Sequence, residues 1–366
     1  MRRLVSLAFV VLSVACTDSE PKLSLDALRV PPGFTVSLYA DNVRGARSLV
    51  LGSDNIVYVG TRGTGKVYAL PDRNGDRRAD EVITVAEGLD RPNGVTLHAG
   101  ALYVVENHRV LRFPDIARQY RNRPSYQVVY DKLPTENSHG WRYARLGPDG
   151  KLYIAVGAPC NICEPDPDRY AAILRLNPDG GGREIYARGV RNSVGFDWDP
   201  QTRELWFTDN GRDNLGDDQP PDELNHAGKA GLHFGYPYCH GGDLPDPEYG
   251  KQAPCAKFMA PALKLDPHGA ALGMRFYTGA QFPAHYKNGV FIAQHGSWDR
   301  TEPIGYRVLF VPMQDGKPGK PEIFVDGWLR GGRASGRPVD ILVMPDGALL
   351  VSDDQAGVVY RVAYSK

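Results

Sequence analysis

A few residues in this chain could move a proton or seat an anion, and each stands just before a short alternating strand. His139 lies in Glu136-Asn137-Ser138-His139-Gly140-Trp141-Arg142. An imidazole titrates near neutrality and is the natural base for taking a proton from a hydroxyl. Arg191 and Asn192 lie in Val190-Arg191-Asn192-Ser193-Val194-Gly195, where a planar guanidinium can clamp a carboxylate or polarise a carbonyl. Arg300, closing the segment from Gln294, and Arg337, in Gly336-Arg337-Pro338-Val339-Asp340, occupy comparable places. Cations converging on one end of a neutral chain predict a small polyanionic ligand. Pairing with Asp299, Asp340 and Asp353 is the structural alternative.

Two stretches are dense in oxygen. Asp72-Arg73-Asn74-Gly75-Asp76, with Asp80 and Glu81 behind it, spaces ligand oxygens around a Gly turn as calcium prefers. It lacks the full spacing and terminal Glu of a helix-loop-helix calcium loop, so a solvated hairpin tip accounts for it equally well. The run from Asp209 to Asn225 combines Gly, Pro and acidic residues, which leaves carbonyls and carboxylates free to face a cation.

The elements that must position these residues repeat. A turn, a strand rich in Tyr and Val, and a second strand recur six times at a spacing of about 50 residues, a radial array of small antiparallel sheets. Copies begin at Ala46, Pro92, Gly147, Ser193, Gly289 and Pro345. With 41 Gly and 29 Pro punctuating the strands, the expected fold is all-β, a six-bladed propeller forming one domain over 29–366. The alternating segment Gly33 to Tyr39 should pair with the strand ending at Tyr360-Arg361-Val362 and close the ring, which removes an exposed edge. Residues 156–170 and 209–272 break the period, and long loops on a rigid scaffold are usually functional. Both are expected on the face that carries the site.

Lys plus Arg equal Asp plus Glu at 43 each, so no broad field attracts polyanions and nucleic acid is not an expected partner. Residues 1–16 have the charged start, short apolar middle and small-residue finish of a secretory signal, too short for a permanent span. Export to the periplasm follows. The finish Leu12-Ser13-Val14-Ala15-Cys16 also resembles a lipoprotein box that would lipidate Cys16 and anchor the chain to a membrane. Four further cysteines, Cys160, Cys163, Cys239 and Cys255, point to disulfides in an exported protein. The expected pairs are Cys160–Cys163 and Cys239–Cys255, although four cysteines allow three connectivities. No second C-x-x-C completes a zinc site.

With these segments together, the sequence resembles the soluble pyrroloquinoline quinone-dependent sugar dehydrogenases, in particular the L-sorbosone dehydrogenase-like branch. The likeness runs from about Arg29 to the C-terminus, most specifically through Thr208 to Asn225, Gln294 to Arg300 and Arg191-Asn192. It implies His139 as catalytic base, Arg191 and Asn192 touching the quinone, and calcium held by the backbone carbonyls of Gly211 and Arg212. Arg337 and Arg300 would contact cofactor carboxylates. Ser138 replaces an Asp of the glucose-oxidising enzymes, and Pro92 beside Asn93 replaces a Gln, leaving Asn93 on the cofactor side. The implied activity is oxidation of a sugar, alcohol or aldehyde hydrate, with a cytochrome or quinone as electron acceptor. Two other functions share the architecture: a calcium-dependent lactonase, which needs carboxylate and Asn ligands on the axis, and a non-catalytic binding propeller.

Overall fold

The computed structural model describes residues 23–365; the expected signal segment and Cys16 lie outside them. Among the described residues, no helix is long and apolar enough to cross a membrane.

Six sheets follow one another along the chain, five of four antiparallel strands and the third with a fifth strand added at its edge. Blade one comprises Ala46–Leu51, Ile56–Thr61, Val67–Pro71 and Ile83–Ala86; blade two starts at Gly94–His98 and blade three at Ala144–Leu146. Blade four starts at Phe196–Trp198, blade five at Ala271–Phe276 and blade six at Pro338–Val343. The middle strands are buried along their whole length, because neighbouring blades cover both faces. They read as near-continuous Val, Ile, Leu and Tyr runs for that reason.

The N-terminal strand Phe34–Ala40 pairs antiparallel with Val358–Tyr364, with Val36 opposite Val362 and Leu38 opposite Tyr360. The ring closes as expected. Phe34 seals the joint: its ring stands edge-on to Phe282, Phe324 and Tyr286, with centroids 4.7, 5.0 and 5.3 Å away, a geometry that favours aromatic pairs.

The first strands of successive blades ring the axis, where Phe196, Leu272 and Val339 pack in one apolar cluster and buried polar groups add links from blade to blade. Asp340 of blade six accepts the Leu49 N–H of blade one at 2.9 Å and lies 3.4 Å from Arg275 of blade five. Asp197 of blade four accepts the Phe276 N–H of blade five at 3.0 Å. A Cβ added to Gly195 would stand 2.1 Å from the Leu272 carbonyl, so the fourth and fifth blades meet this closely only through glycine.

Two expectations need correction. The region 209–272 is more than a loop: it holds the outer strands of blade four, Glu223–Ala227 and Leu263–Lys264, and a strand Leu232–His233 that adds parallel to the edge of blade three. The fifth blade also begins at Ala271, not Gly289. Both strands were hidden because Glu223-Leu224-Asn225-His226-Ala227 and Leu272-Gly273-Met274-Arg275 bury polar or glycine positions against other blades, where alternation gives no warning. The disulfides Cys160–Cys163 and Cys239–Cys255 form as expected.

Candidate functional site

The turn leading into each first strand lies at one end of the propeller, and there the blades leave a cavity of about 350 Å³, within the range of small-molecule sites. His139, Arg191, Asn192, Gly211 and Arg337 line it, joined by Arg47, Arg62, Trp141, Asp213, Asp222, His268 and His295. Chain order scatters these residues across five blades; only closure of the ring brings them together.

His139 is held in an unusual way. Its φ is +48°, in the left-handed region that a non-glycine residue seldom adopts. A Cβ on Gly157 would stand 2.5 Å from the His139 Cβ, so only glycine lets the imidazole seat against blade three. Nδ1 is 2.8 Å from the Ala158 carbonyl. A carbonyl can only accept, so Nδ1 carries the hydrogen and Nε2 keeps its lone pair. Burial first, then the Arg191 charge, push the imidazole down to about 3. It is neutral at pH 7, with the Nε2 lone pair unprotonated.

Arg191 is buried, and its own backbone is pinned by Asp209, which accepts the Arg191 and Asn192 N–H groups at 2.8 and 2.6 Å. Asp209 faces Glu223 across the sheet of blade four. Burial, then the neighbouring carboxyl, hold Asp209 above its ordinary range, against the pull of those two N–H groups. Burial also pushes Asp222 up to about 6, although it accepts the Gly211 and Ala271 N–H groups at 3.0 and 3.1 Å.

On the opposite wall one carboxylate organises three cations or donors. Asp354, its side chain 1% exposed, takes Arg47 at 3.0 Å, Arg62 at 3.6 Å and His295 Nε2 at 2.8 Å. Burial works against the Asp354 charge, yet its neighbours hold the carboxyl below the ordinary range. Burial outweighs Asp354 at His295 and pushes that imidazole down to about 4. His295 is therefore neutral at pH 7, and the two arginines rather than His295 balance Asp354. Arg337 donates through Nε to the His295 carbonyl at 3.0 Å and through Nη2 to the Gly296 carbonyl at 2.5 Å, and lies 5.2 Å over the Tyr306 ring. Arg62 stacks on Trp141 at 5.2 Å.

Asn93 is fully buried and does not line the cavity. Its Oδ1 accepts Arg47 Nε at 3.0 Å and its amide donates to the Arg142 carbonyl at 3.1 Å, so it supports a lining arginine. Arg300 also lies outside the lining, where Nη1 donates to the Asp217 carbonyl. Arg212 sends its guanidinium away from the cavity to Asp246 at 2.7 Å and Glu248 at 3.2 Å. A backbone carbonyl role asks nothing of that side chain.

The acidic hairpin spends its oxygens locally. Asp72 accepts the Gly75 and Arg77 N–H groups, Asn74 that of Asp76, Asp76 that of Arg78 and Asp80 that of Arg73. Among the described residues, the side chains that gather ligand atoms within 4.8 Å of one another are Asp213, His268 and Asp299, beside the cavity. His268 offers Nε2 to the Gly216 and Gln219 carbonyls at 2.9 and 3.0 Å. That leaves Nδ1 as the free lone pair, the arrangement a metal-binding imidazole needs.

Sequence reasoning did not single out Arg47, Arg62, Asp213, His268 or Asp354. Arg47 could have been found: Ala46-Arg47 leads into blade one as Arg191 leads into blade four and Arg337 into blade six.

A family profile described as TrAA12-like matches residues 28–365. The chain belongs to the TrAA12-like family. A protein of Borreliella burgdorferi is 32% identical over all of this chain and 97% of its own length. A pyrroloquinoline quinone-dependent pyranose dehydrogenase of Coprinopsis cinerea is 22% identical over 82% of the chain, which spans about half (47%) of that relative. The holo form of that enzyme's quinone domain superposes with a TM-score of 0.80 at 21% identity, covering 94% of this chain and 98% of the domain. The calcium structure of the AA12 enzyme of Trichoderma reesei gives 0.78 at 20%, covering 96% of this chain and all of that one. A quinone-bound aldose sugar dehydrogenase of Streptomyces coelicolor gives 0.67 at 17%, over 92% and 100% of the two chains. These structures share the propeller.

Proposed function

We propose that this protein oxidises a sugar, or another alcohol or aldehyde hydrate, with pyrroloquinoline quinone and calcium held in the cavity at the mouth of the propeller, and that it acts after export. The carrying observation is the pairing of four guanidinium groups, Arg47, Arg62, Arg191 and Arg337, with a neutral imidazole whose Nε2 is free. Four guanidiniums against three carboxylates, Asp213 and Asp222 in the lining and Asp354 paired with Arg47 and Arg62, leave a modest excess of positive charge, which fits a flat ligand bearing carboxylates. Gly211 lines the same cavity beside Asp213 and His268, so backbone and side-chain oxygens and one imidazole nitrogen stand ready for a divalent ion.

When bound, the quinone supplies the electrophilic carbon that accepts hydride, and calcium draws charge toward the quinone oxygens. His139 takes the substrate hydroxyl proton on Nε2, while its Nδ1 hydrogen stays on the Ala158 carbonyl. Arg191 stabilises the negative charge that gathers beside it. Asn192, Arg337 and Arg47, the last supported by Asn93 and Asp354, are the residues that would hold the cofactor. Trp298, 73% exposed at the mouth, offers a flat apolar face to a sugar ring. The sorbosone-type branch is the finer form of this reading, supported by Thr208 to Asn225 and Gln294 to Arg300. A lactonase would leave the four guanidiniums without a role. The two disulfides accord with an exported protein.

The test is titration of the purified protein with the quinone, with and without calcium, following absorbance and dye reduction across a panel of aldoses and sugar aldehydes. Saturable, calcium-dependent binding with dye reduction is expected. Absence of any spectral change would overturn the reading.

A further inference from the structure

Arg191 is aimed by its neighbours, and one neighbour, Asn161, makes two of its four side-chain contacts. A guanidinium carries five N–H donors. Four contacts to protein are made: Nε to the Asn161 carbonyl at 2.9 Å, Nη2 to Asn161 Oδ1 at 2.7 Å and to Asp213 Oδ2 at 3.2 Å, and Nη1 to the Asn210 carbonyl at 3.1 Å. One Nη1 hydrogen is left for a ligand. Asn161 grips the plane of the guanidinium at two nitrogens, which fixes direction as well as place. Its Oδ1 also accepts the Asp213 N–H at 2.8 Å, and its amide donates to the Asp213 carbonyl at 3.2 Å. The acid beside Arg191 is thus set by the same residue.

Asn161 belongs to no strand. It is the second residue of Cys160-Asn161-Ile162-Cys163, a four-residue loop closed by its own disulfide. Tyr236 ties the loop down a second time: its hydroxyl accepts the Cys163 N–H at 3.0 Å and lies 3.3 Å from Cys160 Sγ. A short loop without such ties would sample many backbone states, and a group held 1 Å out of place costs reaction rate.

We propose that Asn161, presented by the Cys160–Cys163 disulfide loop, is the positioning residue for Arg191. The proposal rests on the reading of Arg191 as the charge that faces the reacting atoms, but its geometry involves no cofactor. Arg191 also helps to keep His139 neutral, so displacing the guanidinium lets His139 gain a proton more readily.

The test therefore uses cofactor-free protein first. Imidazole protonation of His139 is followed by nitrogen NMR, with the resonance assigned by its loss in His139→Gln. In Asn161→Ala and in the double variant Cys160→Ser/Cys163→Ser, the His139 midpoint should rise by about half a pH unit or more. Quinone-loaded Asn161→Ala should then lose about tenfold or more in kcat, with KM changed much less. An unchanged midpoint in Asn161→Ala overturns the proposal. A shift there with none in the double variant overturns the part assigned to the disulfide. If the double variant does not fold, Tyr236→Phe, which removes the second tether, takes its place. If wild-type protein shows no quinone-dependent turnover, the functional reading falls while the midpoint still decides this one.

Discussion

The hairpin from Asp72 to Glu81 and the loop from Asp209 to Asp218 look alike as sequence, each a cluster of acids around glycine, yet they do opposite things. In the hairpin Asp72, Asn74, Asp76 and Asp80 take N–H groups from within eight residues, such as Gly75 and Arg77 on Asp72, and only its last acid, Glu81, reaches out, to Arg121. In the loop the partners come from elsewhere in the ring. Asp213 meets Arg191, 22 residues away, and its N–H goes to Asn161, 52 residues away; the Asn214 N–H goes to Asp299, 85 residues away. A density of oxygen atoms therefore marks a turn when its partners are local and a site when they are distant. Backbone N–H groups saturate the first kind, whereas the second is left with oxygens that face other charged groups.

The strongest challenge to this contrast is removal of the base at the cavity end. His139→Ala should lower kcat by about 10² to 10⁴-fold, roughly 3 to 5 kcal/mol, while quinone binding measured by absorbance survives. Wild-type turnover in that variant at saturating cofactor would move the chemistry elsewhere. A direct comparison of the two acidic regions comes next. Asp213→Ala should weaken calcium-dependent quinone binding by about 10-fold or more, and Asp72→Ala should leave it within about twofold. Asp72 is buried and takes two backbone N–H groups, so its loss should instead cost about 1 to 3 kcal/mol of stability by thermal or denaturant unfolding. Equal effects of the two substitutions on binding would erase the distinction.

The effect confined to the narrowest range of conditions is on acid stability. The folded protein holds His139 down to about 3, below the ordinary value of about 6.5. Between those values the unfolded chain binds the proton that the folded one refuses, so the contribution is present above pH 6.5 and is lost as pH falls. In His139→Gln that loss disappears. Its stability relative to wild type should rise as pH drops from 6.5 to 4.5, by at most about 1.4 kcal/mol per pH unit. Parallel pH profiles for the two proteins would show that the imidazole is not held neutral by its surroundings.

Much of the architecture was open to reading from residue order alone. Blade number and ring closure by Gly33 to Tyr39 follow from turn chemistry and alternation, which act over short stretches of chain; the disulfides were expected from an even cysteine count, and the structure chose between three connectivities. His139, Arg191, Asn192 and Arg337 were legible because each occupies the same place in a repeat, the turn before a first strand. What their surroundings do was not legible. Arg47 and Asp354 meet across 307 positions of sequence, and Asn93 proved to be a prop for Arg47 rather than part of the cavity wall.

Local propensity and periodicity were thus enough to determine the scaffold and the addresses at which functional groups could stand. Only the closed ring decided which of those groups share a cavity, which histidine nitrogen stays free and which acidic cluster faces a partner. Those outcomes depend on burial and on charges drawn from several blades at once, and no segment of the chain carries them by itself.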